Sequence, residues 1–296
     1  MTRRSNEERL GIPSQGAKES AEVIPVAHSA PTELAYVVPT ELVQLPSRGI
    51  LYPEGHYLHN TEDIEIKEMT AREEDILTTE SFIRKGTTFT RLLKSLVVDK
   101  SIQVEDLLIG DRNALLIAAR ISGYGPNYET EVSCPDCGTD YRDYGFDLTQ
   151  CPSRIPVDLE TTIDDELRTY VSHGEGSVYF VTLPKSKMVM EIKLLTGKDE
   201  SGITQAQEMR KKNKLPANAL TEHFKRITIS VNGVTDRIEI EKFIGVMPAH
   251  DSQFLRKTFR KLTPNVNMVQ EFVCDGCQYE QEVEVPMSHT FFWPDA

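Results

Sequence analysis

EVSCPDCGTDYRDYGFDL, residues 131–148, and VQEFVCDGCQYEQEVEVPM, residues 269–287, are two copies of one pattern. In each, a short extended run leads into C-x-x-C and a second run follows. In the later copy Tyr279, Val283 and Val285 alternate with polar residues, the period of a strand. This predicts two β-hairpins with a cysteine knuckle at each tip. One pair alone would be a redox dithiol, half of a metal site or two neighbouring core thiols. Two pairs supply four soft, anionic sulfurs, the number that closes a tetrahedral zinc site.

Cys134, Cys137, Cys274 and Cys277 are therefore the candidate metal ligands, with structural Zn²⁺ as the expected ion. Gly138 and Gly276 are expected to take the backbone angles of a tight knuckle. A thioredoxin-like dithiol would open a helix after a strand, which PDCGTDYRDYGF does not resemble. Residues 138–273 separate the inner cysteines, so joining the pairs closes a loop of 136 residues. Such a closure costs roughly 4–5 kcal/mol on the logarithmic estimate. Structural zinc contributes about 10–16 kcal/mol in small peptide systems, so the metal outweighs the loop. The fifth cysteine, Cys151, and His56, His59 and His173 are read as packing, loop or surface residues rather than ligands.

The chain has 296 residues, enough for a sizeable core, with 33 Lys and Arg against 46 Asp and Glu. The net charge of −13 repels a nucleic-acid backbone as a whole. The sequence has no apolar run long enough to span a bilayer, and its first residues lack the apolar stretch of a signal peptide, which predicts a protein that is cytosolic when made.

The pattern along the chain predicts an α+β fold in four parts. Residues 1–44 read as an extended N-terminal arm, in which Pro25, Pro31 and Pro39 keep Val23–Val26 and Leu34–Val38 from closing into helices. Residues 45–128 form a mainly helical layer. A strand runs to about Lys67, and Thr70 with Glu73 opens a helix through about Phe82 as a capping box. Phe89, Leu92, Leu93, Leu96 and Val97 recur at helical spacing, and Asp111 is the expected cap of the next helix, which stops at Gly123 and Gly125. Residues 129–150 with 268–296 make the zinc-ribbon-like module, and residues 151–267 are an α+β insertion between the cysteine pairs. Within the insertion a hairpin turns at Pro184–Ser186, residues 203–228 are helical with a break at Pro216, and Asn232–Gly233 marks a tight turn after a strand. Two further helices cover about Asp236–Val246 and Ala249–Leu262.

Catalytic patterns are missing. LLTGKDESG lacks the first glycine of a phosphate loop and the Ser or Thr after Lys198, and is read as a turn. A zinc closed by four cysteines has no open position at which to activate water. The acidic clusters Glu73–Glu74–Asp75 and Asp164–Asp165–Glu166 are read as helix starts and solvated faces. Near the C-terminus, Phe291, Phe292 and Trp293 are expected either to pack back on their own domain or to insert into a neighbour.

LPSRGILYP, IEIKEMTAREEDIL, LLIGDRNALLIAARISGYG, CPDC, the second cysteine pair and FFWP occur in that order. From about Leu45 to the C-terminus the chain resembles the baseplate hub protein family of T-even-like contractile-tailed bacteriophages. The resemblance implies a non-enzymatic structural protein of the virion tail baseplate, with other baseplate and tail proteins as partners and no small-molecule substrate. It also implies synthesis in the host cytoplasm, leaves open an assembly chaperone absent from the finished virion, and does not cover the arm. A different class, a zinc-ribbon nucleic-acid-binding regulator, rests on the paired C-x-x-C pattern and the basic stretches RKKNK at 210–214 and RKTFRKL at 256–262, and is opposed by the net charge.

Overall fold

Strand β1, Thr40–Gln44, pairs antiparallel with β2, Asp63–Lys67, from Thr40 opposite Lys67 to Gln44 opposite Asp63. β2 alternates as a half-buried strand should, with Ile64 and Ile66 in the core and Asp63 and Glu65 outside. The computed structural model describes residues 37–154, 165–287 and 291–292. The chain divides into two units, residues 1–37 and 38–296, and the elements described here belong to the second. The extended arm lies outside the described residues as far as residue 36, and β1 begins at Thr40.

The Thr70 and Glu73 reading holds: the Thr70 amide and hydroxyl both donate to Glu73 Oε2, at 3.0 and 2.6 Å, and helix α1 covers Ala71–Thr78. The expected single helix through Phe82 is two helices, because Thr79 turns extended and α2, Glu80–Arg84, starts afresh. Thr78 and Thr79 each donate a hydroxyl back to a carbonyl four residues earlier, at 3.0 and 2.6 Å. These local bonds compete with helix continuation. Helix α3, Thr88–Leu96, buries Leu92, Leu93 and Leu96.

Helix α4, Ile109–Tyr124, is the centre of the unit and is buried on most of its circumference. Asp111 is not its cap. Leu108 takes that position, and its amide donates to the Tyr52 hydroxyl at 2.9 Å. The fully buried Asp111 carboxylate instead accepts from the Ser47 amide, the Ser47 hydroxyl and the Tyr52 hydroxyl at 2.9, 2.7 and 2.7 Å. Burial pushes its pKa up against those bonds. Gly110 lets α4 approach the chain before the last hairpin, since a Cβ there would land on the Pro264 carbonyl.

β3, Asn127–Ser133, and β4, Asp140–Asp147, form the first knuckle hairpin. After β5, Ser153–Arg154, and the short helix α5, Asp165–Arg168, comes a four-stranded antiparallel sheet in sequential order. Its strands are β6, Val171–His173, β7, Val178–Thr182, β8, Val189–Lys193, and β9, Thr228–Val231. Val171, Tyr179, Val181, Met190, Ile192 and Val231 supply its buried apolar side chains. The expected turn at LLTGKDESG is a helix start: Thr196 and Asp199 form a capping box on α6, Gly197–Lys212. Helix α7, Ala219–Ile227, precedes β9, and α8, Arg237–Val246, follows the turn at Asn232 and Gly233, both of positive φ. At the start of α9, Ala249–Leu262, the buried Asp251 accepts the Lys185 and Ser186 amides at 2.8 Å each, which fixes the β7–β8 turn.

β10, Asn265–Val266, returns to pair with β5, and β11, Val269–Val273, with β12, Glu280–Glu284, makes the second knuckle hairpin. Phe291 and Phe292 are buried, so this part of the tail packs back on its own unit. Phe291 lies 5.0 Å from Tyr128 and Phe292 lies 5.9 Å from Phe89, ring centre to ring centre. The buried Arg120 donates through Nε to the Phe291 carbonyl at 3.0 Å and through its other nitrogens to Gly125 and Asn127 carbonyls. Trp293 lies outside the described residues.

Candidate metal centre

The tips of the β3–β4 and β11–β12 hairpins repeat one backbone. The Cys134 amide donates to the Thr139 carbonyl and the Cys274 amide to the Tyr279 carbonyl, both at 2.9 Å. Within each tip a second amide turns back onto the first cysteine's carbonyl: Gly138 to Cys134 at 3.0 Å and Gln278 to Cys274 at 2.8 Å. The residue after the second cysteine has the positive φ that this turn needs, +71° at Gly138 and +60° at Gln278. Gly276 does not, so the special angle expected there belongs to Gln278. A glutamine in the left-handed region pays a steric cost that Gly138 avoids.

The two tips bring all four sulfurs to within 4.8 Å of one another. Cys134 Sγ is 3.7 Å from Cys277 Sγ, and Cys137 Sγ is 3.6 Å from Cys274 Sγ. Zn–S bonds of about 2.3 Å in a tetrahedron give S···S edges of about 3.8 Å, whereas a disulfide would need about 2.05 Å. The sulfur spacing thus suits a central ion. Cys134 and Cys274 are buried, and Cys137 and Cys277 are exposed at the outer rim. Cys151 stays outside the cluster, half-buried, and accepts from Gln270 Nε2 at 3.1 Å. The histidines also stand apart: His56 stacks on Tyr52 and Tyr57, His59 Nδ1 meets the Tyr52 carbonyl at 2.7 Å, and His173 meets the Gly176 carbonyl at 2.8 Å.

Tyr141, Tyr144 and Thr139 complete the surroundings, and cysteine spacing alone does not reveal them. The register of β3 against β4 slips between Thr130 opposite Tyr144 and Val132 opposite Tyr141, so β4 carries an extra residue. Such a bulge lets side chains three apart serve one face. Both tyrosine rings accordingly pack on the buried Phe272 of the other hairpin, at 5.6 and 4.8 Å. Their hydroxyls accept the second tip's amides, Gly276 to Tyr141 and Val273 to Tyr144, at 3.3 and 3.2 Å. The signal available in the sequence was YRDY, a three-residue spacing that interrupts strict alternation.

The Tyr141 hydroxyl lies 3.2 Å from Cys274 Sγ and stabilises its thiolate. That bond, followed by support from backbone amides, draws Cys274 down to about 6. Cys137 is lowered as well, first by the Thr139 hydroxyl at 3.1 Å. Cys277 moves the other way: although the Tyr279 amide favours its charge, desolvation and the neighbouring sulfurs push it up. Four thiolates cannot share this volume without a counter-charge. A divalent cation that accepts sulfur supplies one, and the ligands would release protons on binding. Bound by all four, such an ion would have no coordination position left for a substrate.

Residues 45–174 match the family model described as T4 bacteriophage base plate protein. The match supports a T4-like baseplate protein family. It takes in the helical layer and the first knuckle, Cys134 and Cys137, and ends before Cys274 and Cys277. Neither the search of curated proteins nor that of solved structures found a match. No described helix is long and apolar enough to cross a membrane.

Proposed function

We propose that the chain is a non-enzymatic structural subunit of a contractile phage tail baseplate, at or beside the hub, that holds neighbouring baseplate proteins together. The observation that carries this reading is the family match over residues 45–174. The metal, assigned as Zn²⁺, is structural. It ties the hairpin at the end of the helical layer to the hairpin that follows the insertion, so that residues 138–273 leave and return at one point. A subunit loaded mechanically by its neighbours gains from such a clamp, because unfolding the insertion does not release either hairpin from the other.

Quantitative mass spectrometry of purified tail particles and of the soluble assembly fraction tests the reading. A fixed ratio to known baseplate subunits in the particles is the expected result. Recovery solely from the soluble fraction would make the chain an assembly chaperone instead.

A zinc-ribbon regulator of nucleic acid is the reading from a different class. Its support is the basic residues on α6 and α9, and its difficulty is the net charge of −13. Salt-dependent retention on duplex DNA would favour it.

A further inference from the structure

The basic stretch 256–262 lines one side of a hollow of about 380 Å³ whose walls are Arg154, Leu220, His223, Arg256, Phe259, Arg260, Thr263 and Asn265. We propose that this hollow is the docking site for an acidic peptide segment of a neighbouring protein, which seats one aromatic or leucine side chain on the floor and its carboxylates on the arginines. The proposal rests on the baseplate reading only for the kind of neighbour it implies. The binding itself stands separately.

Charge selects the occupant. Acidic residues outnumber basic ones 46 to 33 in the chain, yet among the described residues three arginines and no Asp or Glu line this hollow. Arg256 and Arg260 are four apart on α9, hence on one face, and both are exposed. Neither forms an ion pair among the described residues. Arg154 reaches them from β5, where Nη2 donates to the Arg260 and Thr263 carbonyls at 2.7 and 2.9 Å. Those two bonds anchor the guanidinium at the rim of the hollow. Three like charges held together repel one another, and an arriving carboxylate relieves the repulsion with charge-assisted hydrogen bonds.

The floor is apolar and already assembled. His223 and Phe259 meet edge to face at 5.1 Å, and Leu220 stands one turn before His223 on α7. Burial lowers the His223 pKa, so the imidazole stays neutral near pH 7 and adds no charge beneath the arginines. A volume of this size holds one or two side chains, not a helix. A duplex, with a negative charge about every 1.7 Å along its axis, would instead meet the field of the whole acidic chain. An acidic peptide engages the arginines locally.

Fluorescence anisotropy on the full chain tests this with labelled Asp-Glu-Phe-Glu-Asp, its amide counterpart Asn-Gln-Phe-Gln-Asn and the anchorless Asp-Glu-Ala-Glu-Asp. The acidic Phe peptide should bind, more weakly as salt is raised. The double variant Arg256→Gln with Arg260→Gln should lose at least about tenfold in affinity, with far-UV circular dichroism and Tm unchanged because both side chains are exposed. Removing the Phe anchor should weaken binding as well. Equal binding of the amide peptide, no binding at all, or no response to the double variant would overturn the proposal. So would tighter binding of a 12-nucleotide oligothymidine that the same variant abolishes, or self-association in sedimentation that it abolishes, since the occupant would then be nucleic acid or a second copy. Absence of the protein from tail particles would overturn the baseplate reading and leave this result intact.

Discussion

Cys134 Sγ and Cys277 Sγ lie 3.7 Å apart although 143 positions separate them in the chain. No backbone pairing joins the two knuckle hairpins, whose strands bond within each pair. Side-chain contacts join the hairpins: packing on Phe272, the tyrosine hydroxyls, the Gln270 amide on the Asp147 carbonyl at 2.8 Å, and the four clustered sulfurs.

Tyr141 stands beside the candidate ligand Cys274, its hydroxyl 3.2 Å from the sulfur. Tyr141→Phe keeps the ring on Phe272 and deletes the hydroxyl at Cys274 Sγ. Loss of such an outer contact typically lowers metal affinity about 10–100-fold. Competition between the Zn²⁺-loaded protein and a chromogenic chelator measures this. Affinity equal to wild type would reduce Tyr141 to a packing residue.

Glu73 should confer acid sensitivity. Burial disfavours its charge, but hydrogen bonds from Ser95, Thr70 and Lys67 outweigh burial and hold its pKa down to about 2, against an ordinary 4.5. A depressed folded-state pKa gives stability that is complete above the unfolded value and is lost as pH falls towards the folded one. The contribution is roughly 3 kcal/mol. Denaturant melts from pH 6 to pH 2 should show wild type losing that much more than Glu73→Gln, mostly below about pH 4.5. Parallel pH profiles for the two proteins would refute the assignment.

Phe291→Ala should destabilise the protein by about 3–5 kcal/mol, the range for emptying a buried aromatic site. Phe291 is fully buried beside Tyr128, and its carbonyl accepts from Arg120. Chemical denaturation of the variant measures the cost. A loss below about 1 kcal/mol would mean that the tail does not rest where the structure has it.

The cysteine spacing made the candidate centre readable because C-x-x-C within a hairpin is a local geometry, repeated here in two places. The Thr70–Glu73 box was readable for the same reason. Asp111 was not: an aspartate before an apolar run looks like a cap, and its partners Ser47 and Tyr52 lie 64 and 59 positions away. Thr196 with Asp199 performs a capping box's task with the shorter acid, inside a stretch whose Gly and Lys suggested a turn. Gln278 took the left-handed angle expected at Gly276 because the turn is set by the second cysteine's position, not by where a glycine happens to stand. Whether Phe291 and Phe292 fold back depended on Arg120 and Tyr128, which only the assembled core brings within reach.

We propose that one ion on Cys134, Cys137, Cys274 and Cys277 joins the middle of the chain to its end. Elemental analysis of the purified full-length protein, with thermal melts in the presence and absence of a strong chelator, tests it most directly. The expected results are one zinc per chain, a lower Tm on chelation, and both zinc and stability lost in Cys134→Ala and in Cys274→Ala. A metal-free wild-type protein whose Tm ignores the chelator, or both variants retaining zinc and full stability, would contradict it.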